Sequence, residues 1–206
     1  MSRQHWESVW ATRTAEEVSW FQADPSTSLR MIRAVTDPTA SVIDVGSGAT
    51  RLVEALLADG YRDLTVLDIS PSALDKARER LGGAAAEVDW VVGDVTSFQP
   101  RHRFELWHDR AVLHFLTDAI DRRAYRETLQ RCVARGGHVV VAAFGPDGPE
   151  SCSGLPVMRH DRRSLAEVLG DDFEPIEYLE EEHLTPGGAS QQFVYGLFGR
   201  RDSSDC

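Results

Sequence analysis

The segment VIDVGSGAT (residues 42–50) decides the fold of this 206-residue chain. A short apolar run, SVIDV at 41–45, leads directly into two closely spaced glycines, Gly46 and Gly48. An apolar run of this length is typical of a strand buried on both faces of a sheet. Glycine gives the backbone unusual dihedral angles and lets it come close to a ligand. The segment therefore predicts a buried strand followed by a ligand-binding loop.

Four more apolar runs follow, with helix-like segments between them. The segment PSALDKARERLGG (71–83) has Ser70 as a plausible N-cap, Pro71 at the first helical position and glycine at its end. Strands that alternate with helices in this way pair in parallel through right-handed crossovers. The further strands are predicted at 64–68, 89–94, 104–109 and 137–144, and the further helices at 51–60 and 121–137.

The last third of the chain changes pattern. A short helix is predicted at 162–170, after which FEPIEYLEEEHL (173–184) and QQFVYGLFGR (191–200) flank the turn TPGGAS (185–190). This pattern predicts an antiparallel hairpin. The expected fold class is α/β: a doubly wound, Rossmann-like, seven-stranded and mostly parallel sheet with an antiparallel C-terminal hairpin. Residues 201–206 are predicted to be a frayed tail.

Composition narrows the classes of partner. The net charge is −11 and the chain has one lysine, which argues against binding to the nucleic-acid backbone. Cys132, Cys152 and Cys206 lack the spacing of a zinc site or a disulfide framework. We find no apolar signal region and no run near the roughly 18 apolar residues of a membrane span. We therefore expect a cytoplasmic monomer or weak homodimer with no metal and no nucleic-acid or membrane partner.

Acidic residues stand at the carboxyl ends of the first three predicted strands, beginning with Asp44, at the sheet edge where such folds bind ligands. Asp68 ends the second strand about 20 residues after the glycine loop, the spacing at which a carboxylate can accept both hydroxyls of a ribose. Asp94 ends the third strand, where an acid can meet an adenine amino group. A dinucleotide is disfavoured because Arg51 stands where its fingerprint has a third glycine. The alternatives are that Asp44 and Asp68 cap the following helices and that Asp94 caps its loop.

The runs IDVGSGAT, LDIS (67–70) and GDVTSF (93–98) resemble the successive motifs of class I S-adenosylmethionine (SAM) methyltransferases. The resemblance spans roughly residues 40–200, and Thr50 departs from it because many members have glycine there. It implies SAM as the cofactor, with its methionine part at Asp44 and the glycine loop, its ribose at Asp68 and its adenine at Asp94 and Val95. The expected cofactor-binding residues are Trp10, Phe21, Asp44, Gly46, Ser47, Gly48, Asp68, Ile69, Asp94, Val95 and Arg110.

A second, narrower resemblance concerns the acceptor. The segment LWHDRAVLHF (106–115) is similar to the W-D-R-G-A-L segment of thiopurine S-methyltransferase-like enzymes, with His108 inserted, and DRRAY (121–125) also matches. Trp6 and Trp10, followed by SWFQ (19–22), resemble the opening lid segment of that family. Amino-directed enzymes often have Pro-Pro and an aromatic residue after the fourth strand, and this chain has none there. The resemblance implies a small-molecule acceptor, and specifically a thiol or another chalcogen.

Methyl transfer needs an in-line arrangement and the exclusion of water more than it needs a base. Arg110 can bind the donor carboxylate or an anionic acceptor, although a simple salt bridge with Asp109 is the alternative. His108 and His114 are the candidate bases, and His114 is equally explained as an ordinary buried histidine. The expected catalytic residues are Arg110, Asp109, His108 and His114.

The chain is expected to divide into a helical lid (1–36), a SAM-binding domain (37–200) and a tail (201–206). Simple core packing of the N-terminal tryptophans is the alternative to a lid. The aperiodic segment 145–157 is interpreted as an acceptor-pocket wall with Cys152 facing inward, or as a loop carrying an accessible thiol. Two other functions stay open: a methyltransferase for protein lysines or N-termini, and a SAM-binding protein without catalysis.

Overall fold

The computed structural model describes residues 2–48 and 50–202. Cys206 and the other residues of the predicted tail beyond Asp202 lie outside the described residues. Within the described ranges, no helix is long and apolar enough to cross a membrane. The same ranges contain no group of three or more His, Cys, Asp or Glu side chains placed to hold a metal ion.

The main sheet has seven strands in the order β3-β2-β1-β4-β5-β9-β8. Strands β1 to β5 pair in parallel, and β9 pairs antiparallel with both β5 and β8. This arrangement confirms the predicted fold class. Strand order reverses between β1 and β4, so ligands are expected at the carboxyl ends of these two strands. The strands are β1 (Ser41–Val45), β2 (Asp63–Asp68), β3 (Val88–Val92), β4 (Phe104–Arg110), β5 (Val133–Phe144), β6 (Ser151–Cys152), β7 (Leu155–Pro156), β8 (Phe173–Leu184) and β9 (Ser190–Arg200).

Helices cover both faces of the sheet. One hydrophobic core includes Leu29, Leu56 and Leu74 from three different helices, and the other includes Tyr125 and Leu165 from two helices on the opposite face. The helices are α1 (Arg3–Thr12), α2 (Ser26–Val35), α3 (Leu52–Ala58), α4 (Pro71–Leu81), α5 (Ala119–Cys132) and α6 (Arg162–Leu169).

Strand β4 contributes to both cores because successive side chains of a strand point to opposite faces. Leu106 packs in the core of helices α1 to α4, whereas Trp107 packs in the core of α5 and α6. By the same alternation, His108 and Arg110 face the α2 side and Asp109 faces the α5 side. This alternation decides which of the three ionisable residues can reach a ligand.

Some predicted boundaries are wrong. Helix α5 ends at Cys132 and β5 begins at the next residue, so the glycine pair Gly136-Gly137 lies inside the strand. There the pairing with β4 shifts register and Gly136 has φ +68°, a conformation that glycine adopts without strain. Strand β3 ends at Val92, which leaves Asp94 in the following loop.

The segment 145–157 has more order than its sequence suggests. It contains the two-stranded sheet of β6 and β7. Cys152 is buried, and its sulfur lies 3.9 Å from the hydroxyl of Ser19 in the N-terminal segment. Burial raises the pKa of the Cys152 thiol. The interpretation of Cys152 as an accessible thiol is therefore wrong, and the side chain faces the protein interior.

Candidate cofactor and active site

The loop after β1 is built from two glycines with positive φ. Gly46 has φ +59° and Gly48 has φ +55°. A Cβ atom on Gly46 would lie 1.9 Å from the side chain of Val112, and one on Gly48 would lie 2.7 Å from the ring of Trp10. Both glycines are therefore required, because the turn after β4 and helix α1 leave no room for a side chain.

Asp68 closes this loop from the end of β2. The backbone N–H groups of Gly48 and Ser70 each donate to one of its carboxylate oxygens at 2.8 Å. Burial raises the pKa of Asp68 to about 6, against the lowering effect of these backbone hydrogen bonds. An ionised carboxylate has about four acceptor sites, so each oxygen of Asp68 can accept a further hydrogen bond.

A cleft-like cavity opens beyond the carboxyl ends of the strands and encloses about 600 Å³ of empty space, part of which is open to solvent. Its only titratable side chains, within the described part of the chain, are Asp68, Asp94 and Arg110. The lining residues are Trp6, Trp10, Trp20, Gly46, Gly48, Leu67, Asp68, Ile69, Gly93, Asp94, Val95, Arg110, Ala111, Val112 and Phe115.

Of the two capping roles considered for Asp44 and Asp94, the structure contains only that of Asp94. Asp94 does cap its loop, because one carboxylate oxygen accepts from the N–H of Thr96 at 2.8 Å and from its hydroxyl at 2.7 Å. The residue nevertheless lines the cavity. Asp44 does not cap the following helix, because α3 begins after Arg51 without a side-chain cap.

Asp44 instead belongs to a buried hydrogen-bonded chain at a second, smaller cavity. Oδ1 of Asp44 lies 2.7 Å from Nδ1 of His108, and Nε2 of His108 lies 2.9 Å from the hydroxyl of Ser28 in α2. The other oxygen of Asp44 is buried without a hydrogen-bond partner among the described residues. This cavity has a volume of about 340 Å³ and is lined by Trp20, Gln22, Pro25, Ser28, Asp44, Val45, Gly46, Ser47, Thr50, Leu52, His108 and Arg110.

Arg110 lines both cavities. Its Nε donates to the hydroxyl of Tyr195 at 2.9 Å and Nη1 donates to the carbonyl oxygen of Trp20 at 2.8 Å. The guanidinium also lies over the ring of Phe193, 4.3 Å from its centroid. Nη2 is buried and has no hydrogen-bond partner within residues 2–48 and 50–202. A buried unpaired polar group is unfavourable unless a ligand satisfies it.

Three tryptophans of the N-terminal segment cover the larger cavity. Trp6 and Trp10 belong to α1, and the ring of Trp20 lies edge-on to both, at 5.9 Å from Trp6 and 6.2 Å from Trp10. Trp6 also contacts Phe115, at 5.0 Å between ring centroids. The three tryptophans belong to the hydrophobic core as well. Core packing and cavity lining are therefore properties of the same side chains.

Glu7 of helix α1 forms hydrogen bonds with the N-terminal turn of helix α4. Its carboxylate accepts from the hydroxyl of Ser72 at 2.8 Å and from the N–H of Ser72 at 3.1 Å, and it also accepts from the hydroxyl of Ser70. These hydrogen bonds, with that from Ser70 first, lower the pKa of Glu7. The contact places a negative charge at the N-terminus of α4, where the helix dipole favours it.

Three predicted site residues, Asp109, His114 and Phe21, lie outside both cavities. Asp109 accepts from the hydroxyl of Tyr125 at 2.7 Å and from the N–H of Val112 at 3.0 Å, on the α5 side of the sheet. His114 is fully buried and stacks on Phe144 at 4.3 Å between ring centroids. Burial raises the pKa of Asp109 to about 6 and lowers that of His114 to about 3.

The expected roles of these residues change accordingly. Asp109 forms no salt bridge with Arg110, because the two side chains lie on opposite faces of β4. Its contacts hold the turn after β4 instead of a ligand. His114 accepts the N–H of Phe144 at 3.3 Å and serves the core. Phe21 packs against Arg51, 5.9 Å from its guanidinium carbon, and its neighbours Trp20 and Gln22 line the cavities in its place.

Sequence reasoning missed several residues that line the cavities or hold the lining side chains in place. Tyr195 and Ser28 reach Arg110 and His108 from elements far away in the chain, and no motif marks them. Ala111 follows Arg110 with φ +74°, which is unusual for a residue with a side chain.

Comparisons with known proteins agree with this geometry. Residues 42–137 match a family model described as a methyltransferase domain. Nodulation protein S from Bradyrhizobium diazoefficiens is 30% identical over 171 residues, which cover 82% of this chain and 77% of that protein. The chain belongs to the class I SAM-dependent methyltransferases. Nodulation protein S from Rhizobium tropici is 32% identical over 132 residues, 64% of this chain, and the match spans about half of that relative (53%).

Solved structures extend the similarity of this methyltransferase to its whole fold. The N-methyltransferase NodS from Bradyrhizobium japonicum WM9, in complex with S-adenosylhomocysteine, superposes with a TM-score of 0.73 at 17% identity, over 95% of this chain and 98% of that one. A structure solved in connection with the conversion of a disulfide bond into a thioacetal group during echinomycin biosynthesis gives a TM-score of 0.80 at 18% identity, over 98% of this chain and 94% of that one. The cofactor of the methyltransferase is SAM.

Proposed function

We propose that the methyltransferase holds SAM across both cavities and transfers its methyl group to a small-molecule acceptor. In this arrangement Asp68 accepts hydrogen bonds from the ribose hydroxyls, and Asp94 and Val95 meet the adenine. The amino-acid end of SAM carries one positive and one negative group. It therefore matches the unpaired oxygen of Asp44 and the unpaired Nη2 of Arg110, which both belong to the smaller cavity.

SAM supplies an electrophilic methyl group on a sulfonium sulfur, whose positive charge is dispersed as the transition state forms. The protein's own contribution is orientation and the exclusion of water. Asp44, Asp68 and Arg110 fix the donor at three points. Trp6 and Trp20 cover the cavity with apolar rings that keep water out. No proton transfer is required of the groups that hold the donor.

We further propose that the acceptor atom is a thiol sulfur or a related chalcogen. The observation that carries this proposal is the composition of the wall formed by Trp6, Trp20 and Phe115. This wall has no side-chain base in the described part of the chain, and the buried indole N–H of Trp6 has no hydrogen-bond partner there. A thiol ionises near pH 8.5 and needs little assistance, and the resulting anion can accept the indole N–H.

An amine is the second candidate. It is favoured by the relatives, because a structurally similar protein is the N-methyltransferase NodS. An aliphatic amine is protonated at neutral pH, with a pKa of about 10.4 for a lysine-type group, so its methylation needs a base or a neutral starting form. Aromatic rings can hold an ammonium group through cation–π contacts, which keeps this candidate compatible with the wall.

The deciding experiment is S-adenosylhomocysteine formation by the purified protein with SAM and a panel of acceptors. The panel contains sulfide, alkyl and aromatic thiols, selenite, alkyl and aromatic amines, and lysine-containing peptides. We expect turnover with a thiol or selenium compound, with a rate that rises with pH up to the pKa of the thiol. The variant Trp6→Phe tests the role of the indole, because it keeps an aromatic ring but removes the N–H. It should lower the rate of thiol methylation while the affinity for SAM stays within about twofold.

Other outcomes assign the function differently. Turnover with amines alone would replace the thiol with nitrogen as the acceptor atom. Turnover with peptides alone would identify a protein methyltransferase. SAM binding without turnover on any acceptor would favour a protein that binds SAM without catalysis.

A further inference from the structure

His108 lies in the middle of a buried chain of three side chains. Ser28, His108 and Asp44 are 1%, 3% and 3% exposed, and they come from α2, β4 and β1. The chain runs from the hydroxyl of Ser28 through both ring nitrogens to Oδ1 of Asp44, with distances of 2.9 Å and 2.7 Å. Such a chain fixes the orientation of each member, because every polar atom of the imidazole is used.

The hydrogen bonds determine which atoms are available. An ionised carboxylate only accepts, so Nδ1 of His108 donates to Asp44. Nε2 then accepts from the hydroxyl of Ser28 while the ring is neutral. Neither nitrogen is free to receive a proton from an acceptor molecule, which argues against the expected role of His108 as a base. The ring instead holds one oxygen of Asp44 and leaves the other oxygen unpaired.

Arg110, the cation that lines the smaller cavity, is also held by protein contacts. Its Nε donates to the hydroxyl of Tyr195 at 2.9 Å, and that hydroxyl donates to the carboxylate of Glu181 at 3.4 Å. The unpaired oxygen of Asp44 and the unpaired Nη2 of Arg110 thus both belong to side chains whose other polar atoms are fixed by hydrogen bonds. Preorganised groups bind a ligand without loss of side-chain freedom at the moment of binding.

We infer that His108 is a positioning residue that orients Asp44 toward the α-ammonium group of SAM, and that Ser28 supports it. The inference rests on the proposed placement of the amino-acid end of SAM in the smaller cavity. It concerns cofactor binding and is independent of the acceptor atom. Its consequence is selectivity for ligands that carry an intact α-amino-acid group over nucleosides that lack it.

The test compares two ligands by calorimetric titration of the full chain. S-adenosylhomocysteine has the amino-acid group, and 5′-methylthioadenosine lacks it. We expect His108→Leu to weaken binding of S-adenosylhomocysteine about tenfold and to leave binding of 5′-methylthioadenosine within about twofold. His108→Asn can still donate a hydrogen bond to Asp44, so it should recover most of the loss. Ser28→Ala should give a smaller loss in the same direction, and His102→Leu, at an exposed histidine, should change neither affinity.

Two results would overturn the inference. An equal loss for both ligands would mean that His108 only maintains the fold, and unchanged affinity for both would mean that it does not act on Asp44. If His108→Leu does not fold, Ser28→Ala carries the same comparison. Asp44→Asn and Arg110→Gln distinguish the placement of the amino-acid end from the role of His108. If they lose S-adenosylhomocysteine selectively and His108→Leu and Ser28→Ala do not, the placement of the amino-acid end stands and the positioning role fails.

Discussion

Asp109 and Arg110 are adjacent in the chain but bind on opposite faces of the sheet. Asp109 accepts from Tyr125 at 2.7 Å on the α5 side, and Arg110 donates to Tyr195 at 2.9 Å on the cavity side. The alternation of side chains along β4 thus separates a structural carboxylate from a cation that lines both cavities. Variants that remove the contacts of Asp109 should therefore change the stability of the fold, whereas variants of Arg110 should change ligand binding.

The carboxylate of Asp68 is the first test of cofactor binding. Asp68→Ala removes the proposed partner of both ribose hydroxyls, and hydrogen bonds to a charged group contribute about 1.5–3 kcal/mol each. We expect the affinity for S-adenosylhomocysteine to fall at least about 100-fold in a calorimetric titration. Asp63→Ala, at the exposed start of the same strand, is the control. An unchanged affinity in Asp68→Ala would refute the proposed ribose site.

Removal of the Tyr125 hydroxyl tests the structural role of Asp109. Tyr125→Phe leaves one buried carboxylate oxygen without its partner, which costs about 1–3 kcal/mol. The free energy of unfolding in urea should fall by that amount, while the affinity for S-adenosylhomocysteine stays within about twofold. Tyr178→Phe, which changes a tyrosine on β8, provides the comparison. A large loss of binding with unchanged stability would instead assign Asp109 to the ligand site.

Buried His114 makes stability depend on pH in a defined direction. Its folded-state pKa is about 3, below the ordinary value of 6.5, so the unfolded chain binds the extra proton between these values. The stability contributed by neutral His114 is present above about pH 6.5 and is lost as pH falls toward 3. His114→Gln should therefore flatten the fall in unfolding free energy between pH 6.5 and 4. An identical pH profile for wild type and variant would contradict a neutral buried His114.

Buried Asp109 changes the free energy of unfolding with pH in the opposite direction to His114, between about pH 4 and pH 6. Its folded-state pKa is raised to about 6, so its contribution is fully present below about pH 4 and is lost as pH rises through 6. Asp109→Asn removes the ionisation, and the difference in unfolding free energy between variant and wild type should change in favour of the variant from pH 4 to pH 7. A difference that does not change with pH would exclude ionisation of Asp109 in this range.

Glu7 tests how firmly α1 is held. Glu7→Ala removes the hydrogen bonds to the first turn of α4, and loss of a comparable helix cap costs about 1 kcal/mol. Amide hydrogen exchange in α1 should accelerate about fivefold, and affinity for S-adenosylhomocysteine should fall because Trp6 and Trp10 line the cavity. Glu16→Ala, at an exposed glutamate of the same segment, should do neither. Unchanged exchange in Glu7→Ala would show that the tryptophans alone fasten the helix.

The sheet could be predicted because its signals are local. The apolar runs and the caps around Ser70 and Pro71 identify strands and helices without knowledge of their neighbours. The boundary between α5 and β5 could not be predicted, because the glycine pair that suggests a helix end instead lies at a register shift set by pairing with β4. The sequence left two interpretations of Cys152 open, inward-facing or accessible, because its burial involves contact with Ser19 from the distant N-terminal segment.

The cofactor side of the site follows from sequence more closely than the acceptor side. Asp44, Asp68 and the glycines stand at strand ends, where the fold itself determines their position. The alternation along β4 would have separated Asp109 from Arg110, but three consecutive ionisable residues suggested a shared role. Tyr195 and Ser28 have no sequence signal, because their contribution arises from tertiary contacts between β9, α2 and β4.

The segment from Asp68 to Ser72 contacts two different parts of the protein, the glycine loop after β1 and helix α1. Asp68 faces the cavity and fixes the glycine loop, and Ser70 and Ser72 bind Glu7 of α1. Any stabilisation that a bound nucleoside gives to the docked helix must be returned in equal measure as tighter nucleoside binding when the helix docks. A fluorophore attached to α1 would then report occupancy of the cavity without touching it, and the chain could be made into a sensor for its own cofactor.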